Sequence, residues 1–400
     1  MTPAPRLALL AAIVALAAMC ASCAPGPAVQ PSASPSRTAS AEPVPSPTPE
    51  ATSAEAAVAA MTLRERAASV VMGHIPTTDA AALHVYMESS GVGGFLLMGA
   101  NIPGDEAALQ TITAALTVDP ARPPLVAVDQ EGGDVSRLPW DAFPSPLDLQ
   151  QADPSAAEAA FAGRAALVRR AGIPVNFGIV ADVTPDPNSF IHRRVLGTTP
   201  DAASANVAAA VRGEEGSVFS TLKHFPGHGA APGDSHTAIP STALTLDQWR
   251  AADALPFVAG IDAGAELLMF GHLAYTAVDP GPASLSPEWH RIAREELGFD
   301  GVTITDDLGM LQGSGQPEYA DPVANAVAAL AAGNDMVLTV VYSTPDTAPR
   351  IIDGIVAAVE SGALPADRLE EAATRVMALR LAVAEAGEGD LPCTTCAPAD

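Results

Sequence analysis

Short apolar runs alternate with amphipathic stretches along most of the chain. The runs are SVVMGHI (69–75), GGFLLMG (93–99), PLVAVDQ (124–130), IPVNFGIVADV (173–183), VFSTLKHF (218–225), AELLMFGHL (265–273), GVTITDD (301–307) and NDMVLTVV (334–341). They are near-continuous rather than alternating, as expected of parallel strands covered on both faces. Between them, stretches such as 200–214, 244–264 and 321–333 carry helical patterning. Eight such strands over about 330 residues predict an α/β fold, a single (β/α)8 barrel. An open doubly wound sheet is the alternative. It needs a glycine-rich phosphate turn after an early strand, and the glycines of QEGGDVSR (130–137) fall in another pattern.

The polar residues sharpen this expectation, because they sit where these runs end. Asp129 and Glu131 close the third run and Asp182 the fourth. Lys223 and His224 close the fifth, His272 the sixth, and Asp306 and Asp307 the seventh. In a (β/α)8 barrel the C-terminal strand ends build one mouth, so residues distant in sequence converge there.

The alternation is absent from both ends of the chain. Arg6 followed by LALLAAIVALAAM (7–19) has the form of a signal peptide too short to span a bilayer, over residues 1–22. The small residues of ASC (21–23) resemble a bacterial lipobox, with Cys23 as the lipidated first residue of the mature protein; cleavage without lipidation is the alternative. Either way the protein is exported, and a lipid on Cys23 would anchor it to the outer face of the cytoplasmic membrane. Residues 23–54 are rich in Pro, Ser, Thr and Ala, and read as a disordered tether. The barrel is then expected over 55–388, with a tail over 389–400 that carries Cys393 and Cys396. A lone CxxC offers too few ligands for structural zinc, so a tail disulfide without a catalytic role is expected.

Net charge narrows the partners. The formal charge is −26, which argues against nucleic acid and against docking on anionic lipid headgroups. The 48% apolar content is ample for a core. No cofactor is expected, and a monomer is.

The segment LKHFPGHGAAPGDSH (222–236) gathers His224, His228 and His236 with Lys223 and Asp234. A metal site on His224, His228, Asp234 and His236 is one reading, but the i, i+4 pair needs a helix that Phe225-Pro226-Gly227 forbids. Acid–base catalysis is the other. An aspartate two residues from a histidine fixes its tautomer, and a carboxylate at the end of the seventh run offers a nucleophile. Adjacent strand residues point to opposite sides, so only one of Asp306 and Asp307 can face a substrate.

KHFPGHGAAPGDSH, VDQEGGDVSRLP (128–139) and GFDGVTITDDLGM (298–310) resemble the signature segments of family 3 glycoside hydrolases, in their β-N-acetylglucosaminidase branch. The resemblance runs in order from MTLRERAASVVMG (61–73) through PASLSPE (282–288) to AGNDMVL (332–338). It implies a retaining exo-β-N-acetylglucosaminidase that removes terminal β-linked N-acetylglucosamine, with peptidoglycan fragments as the target. Asp306 would be the nucleophile, and His236 the general acid/base with Asp234 as its partner. Asp129, Arg137, Arg194, Lys223 and His224 would bind the sugar. A phosphorylase using the same residues and a non-catalytic sugar-binding surface lipoprotein are the alternatives.

Overall fold

The computed structural model describes residues 52–386; the leader, Cys23, most of the tether and the tail cysteines lie outside the described residues. Eight parallel strands close into a barrel: β1 (Val71–Gly73), β2 (Gly94–Leu97), β3 (Leu125–Val128), β4 (Val175–Val180), β5 (Phe219–Phe225), β6 (Leu267–Phe270), β7 (Val302–Asp307) and β8 (Met336–Leu338). Each pairs with its sequence neighbours, and β8 returns to β1 through Val71 opposite Val337. The expected barrel is therefore the observed one. Every predicted run contains its strand.

The strands alternate between two apolar layers. Met72, Leu96, Ala127, Phe177, Met269, Ile304 and Leu338 fill the barrel interior. Residues of the other phase, such as Phe95, Val126, Leu222, Leu268 and Phe270, pack outward against the helices. Both faces are dry, which is why the runs read as continuous.

Most helices follow their sequence signals. Asp79, Asp105, Asp153, Thr199 and Asp321 cap the helices that begin at Ala80, Glu106, Pro154, Pro200 and Pro322, each accepting a backbone N–H at the first turn. Two boundaries differ from the expectation. The first helix spans Ser53–Ala59, so it starts inside the stretch read as tether. Thr52 and Glu55 form a reciprocal capping box, which Pro/Ser/Thr composition conceals. The patterned stretch 244–264 is two helices, Leu246–Ala251 and Ala254–Asp262. Pro256 lacks an N–H, and its ring would strike the Ala252 carbonyl one turn earlier, so the helix must restart. No helix among the described residues is long and apolar enough to cross a membrane.

Candidate active site

A cavity of about 180 Å3 opens at the C-terminal ends of the strands, lined by Asp129, Arg137, Arg194, Lys223, His224, His236 and Asp306 among others. A larger one of about 280 Å3 lies at the opposite end, between Arg64, Ser90, Arg122 and Arg380. Its cations are already engaged: Arg122 pairs with Asp119, and Arg380 donates to the carbonyls of Arg122 and Pro123. The mouth cavity is the one with convergent chemistry.

One wall is an ion cluster. Lys223 Nζ lies 2.8 Å from Asp129 Oδ1 and 2.7 Å from Glu131 Oε1. Arg194 donates to both oxygens of Glu131, at 2.9 and 2.7 Å, and Arg137 reaches Asp129 at 3.6 Å. Burial works against every charge here, but the attractions outweigh it. The Lys223 ammonium holds the Asp129 and Glu131 carboxyls below their usual range, helped by Arg137 and Arg194 respectively, and the two carboxylates raise Lys223. Arg194, not Arg193, is the arginine that enters the cavity; Arg193 pairs with Asp134 on the surface.

The hairpin carrying Glu131, Gln130–Gly132 with Val135–Ser136, is held from behind. Gln130 Oε1 accepts the N–H groups of Arg137 and Leu138, and its amide donates to Ser136 and Asp141. Asp141 in turn accepts from fully buried Arg164 at 2.7 Å.

A second cluster is built on Asp182. This buried carboxylate accepts the N–H of His224 at 3.3 Å, its ring Nδ1–H at 2.8 Å, and the N–H of His228 at 2.5 Å. With the proton fixed on Nδ1, His224 Nε2 is left as an acceptor, 3.4 Å from Arg194. Burial, followed by Arg194, pushes the His224 pKa well below its ordinary value, so the ring is neutral. His228 packs edge-on against Phe190, and neither of its ring nitrogens has a protein partner.

Gly227 turns the chain between these two histidines at φ +130°, a conformation that favours glycine. A Cβ there would press on Asp253 and on the Tyr275 hydroxyl at 3.2 Å. Trp249 and Tyr275 fasten the turn by donating to the Pro226 and Gly227 carbonyls, both at 2.7 Å.

The neighbouring aspartates of β7 part company, as strand phase requires. Asp307 touches the cavity edge, but its carboxylate is taken up by the N–H groups of Gly309, Val340 and Val341 at 2.8–2.9 Å. Burial still outweighs those donors and raises its pKa to about 6. Asp306 lines the cavity. Burial opposes its ionisation, but partners that include the Asp307 N–H and the Lys223 ammonium prevail, and its carboxyl sits below the ordinary value. His272 donates from Nε2 to the Asp307 carbonyl and accepts from Ser284 at Nδ1, which leaves its ring fixed beneath both aspartates.

Across the rim, Asp234 Oδ1 accepts both the N–H and the Nδ1–H of His236, at 3.0 and 2.5 Å. His236 Nε2 is therefore free. Every residue singled out from the sequence for catalysis or sugar binding, except Asp234, lines the one cavity, and Asp234 grips a residue that does. Glu131, Asp182 and Asp307 were visible only as strand-end polar residues, and nothing local announced what they hold. Among the described residues no three His, Cys, Asp or Glu side chains are gathered to hold a metal ion.

This site and fold have known counterparts. The family model described as "Glycosyl hydrolase family 3 N terminal domain" matches residues 62–379. A beta-hexosaminidase of Stenotrophomonas maltophilia is 35% identical over 280 residues, covering 67% of this chain and 82% of that protein. The solved structure of a glycoside hydrolase family 3 beta-N-acetylglucosaminidase from Paenibacillus superposes with a TM-score of 0.75 at 30% identity, over 81% of this chain and 63% of that one. A beta-N-acetylhexosaminidase from Beutenbergia cavernae gives a TM-score of 0.70 at 29% identity, over 80% and 98%. The chain belongs to glycosyl hydrolase family 3.

Proposed function

We propose that the protein is a retaining exo-β-N-acetylglucosaminidase acting on terminal β-linked N-acetylglucosamine. The observation that carries this reading is a partly open, anionic Asp306 in a cavity walled by paired charges, with a histidine whose Nε2 is free on the rim. The relatives named for hexosaminidase and N-acetylglucosaminidase activity support it.

Asp306 attacks the anomeric carbon and the glycosidic C–O bond breaks. His236 gives its Nε2 proton to the departing oxygen, while Asp234 steadies the imidazolium. Water then attacks the glycosyl–Asp306 ester, His236 takes a proton from it, and the carboxylate is released. A histidine in this role becomes a neutral base beside Asp306 rather than a second anion, which lowers the repulsion a carboxylate would bring. Asp129, Arg137, Arg194, Lys223 and His224 hold the sugar's hydroxyl and acetamido groups; paired carboxylates and cations suit a neutral ligand rich in donors and acceptors.

The apolar leader and Cys23 support export and lipid anchoring, and with them peptidoglycan fragments as the target. Cys23→Ala is expected to shift the protein from the membrane to the soluble fraction.

The decisive assay is release of p-nitrophenol from the β-N-acetylglucosaminide against the β-glucoside, with and without phosphate. Selective, phosphate-independent release with retention of the anomeric configuration supports the proposal. Strict dependence on phosphate would make the protein a phosphorylase, and no turnover would leave it a sugar binder.

A further inference from the structure

Tyr342 stands apart from every other residue at the mouth. It is the one non-glycine with positive φ among the described residues, at 62°, and the residue is 67% exposed. Its position is the third of a tight turn closed by the Ser343 N–H on the Val340 carbonyl at 3.0 Å, where glycine or asparagine is the unstrained choice. The turn is held firmly from below. Asp307 accepts the N–H groups of Val340 and Val341, and Thr339 and Ser343 pair their hydroxyls at 2.8 Å. A bulky aromatic in such a place points to a use for the ring, not for the fold.

The location says which use. Val340 and Val341 line the cavity, and Val341 is itself 42% exposed, so an apolar lip runs from the cavity wall to Tyr342. A Cβ on Gly313 would lie 3.2 Å from the His236 carbonyl and 3.7 Å from the Tyr342 ring, which brings the ring beside the loop carrying the proton donor. Whatever leaves the anomeric carbon must sit against that donor. A flat, exposed ring there matches the apolar C–H face of a sugar ring.

We propose that Tyr342, with Val341, forms the leaving-group subsite, and that the group it takes is a pyranose. This rests on the hydrolase reading above. The turn holds the ring ready before substrate arrives, so little ordering is needed on binding.

The test compares two substrates that share the N-acetylglucosamine and differ in what departs: N,N′-diacetylchitobiose, which loses a pyranose, and methyl β-N-acetylglucosaminide, which loses methanol. The ratio of their kcat/KM values is measured in the full chain. Tyr342→Ala and Tyr342→Gly should each lower the ratio about tenfold, mainly through KM for the disaccharide, and Tyr342→Phe should keep it. Glycine relieves the backbone and phenylalanine does not, so a purely structural role would favour glycine over phenylalanine. A ratio unchanged in the alanine and glycine variants, or retained by glycine and lost by phenylalanine, overturns the subsite. A wild type that cleaves neither substrate overturns the hydrolase reading, and the subsite with it.

Discussion

The mouth of the barrel holds two aspartate–histidine pairs of the same local design and opposite circumstance. Asp182–His224 is sealed, its side chains 0% and 7% exposed; Asp234–His236 is open, at 44% and 59%. In both, the carboxylate accepts the Nδ1–H and leaves Nε2 to act. The sealed pair meets Nε2 with Arg194, keeps its ring neutral, and shares its carboxylate with two backbone groups of the turn. It is a fixed acceptor. The open pair sits on a loop broken by Gly229, Pro232 and Gly233, with access to water. Burial, then, decides whether a shared motif becomes a positioned contact or a proton carrier.

The largest effect should come from the carboxylate that lines the cavity with both histidines. Asp306→Asn should cut kcat about ten-thousandfold or more, with the fold intact by circular dichroism. A slow fluorosugar analogue should label Asp306 in the wild type. A label on Asp307 would break the division of labour that its three backbone bonds imply.

Next comes the open pair. His236→Ala should slow substrates with poor leaving groups by about a hundred- to ten-thousandfold, and activated aryl glycosides far less, because only the former need a proton. Equal losses on both would make the open histidine as structural as the sealed one. Melting temperature should hardly move, since the side chain is exposed.

The sealed pair should behave the other way. Asp182→Ala strands three donors, the N–H and Nδ1–H of His224 and the N–H of His228, at about 1–3 kcal/mol each. The melting temperature should fall by about 10 °C or more, read by calorimetry. A variant as stable as the wild type would show that Asp182 does not hold the turn.

The two pairs also differed in how visible they were. Asp234 and His236 are two residues apart, so sequence alone proposes their contact; Asp182 and His224 are 42 apart and meet only because β4 and β5 are neighbours. The same split runs through the molecule. All eight strands were legible because both of their faces are dry, and the mouth was legible because polar residues interrupt those runs at one end. Glu131 beneath Lys223, Gln130 behind Arg137, and the Pro256 restart depend on partners across the fold or on a single steric clash. Tyr342 carried no sequence signal at all, since its meaning lies in a backbone angle.

The smallest predicted effect is the most diagnostic, because the pairs should respond to pH with opposite sign. Burial, against the pull of His228, raises the Asp182 pKa, so this group's contribution is fully present below the unfolded value near 3.8 and is lost as pH rises through the folded one. Burial is overcome at Asp234 by its bonds from the His236 backbone and ring, and its pKa is lowered; its contribution is present above the unfolded value and lost as pH falls through the folded one. Asparagine removes the titration at either site. The stability gap between wild type and Asp182→Asn should therefore narrow as pH rises from about 4 toward 7. The gap for Asp234→Asn should instead widen as pH rises from about 3 to about 4 and stay level above that, remaining small throughout because the pair is exposed. Denaturant midpoints measured for the three proteins from about pH 3 to 7 read both trends directly. Two gaps that move together would mean that burial does not separate the pairs.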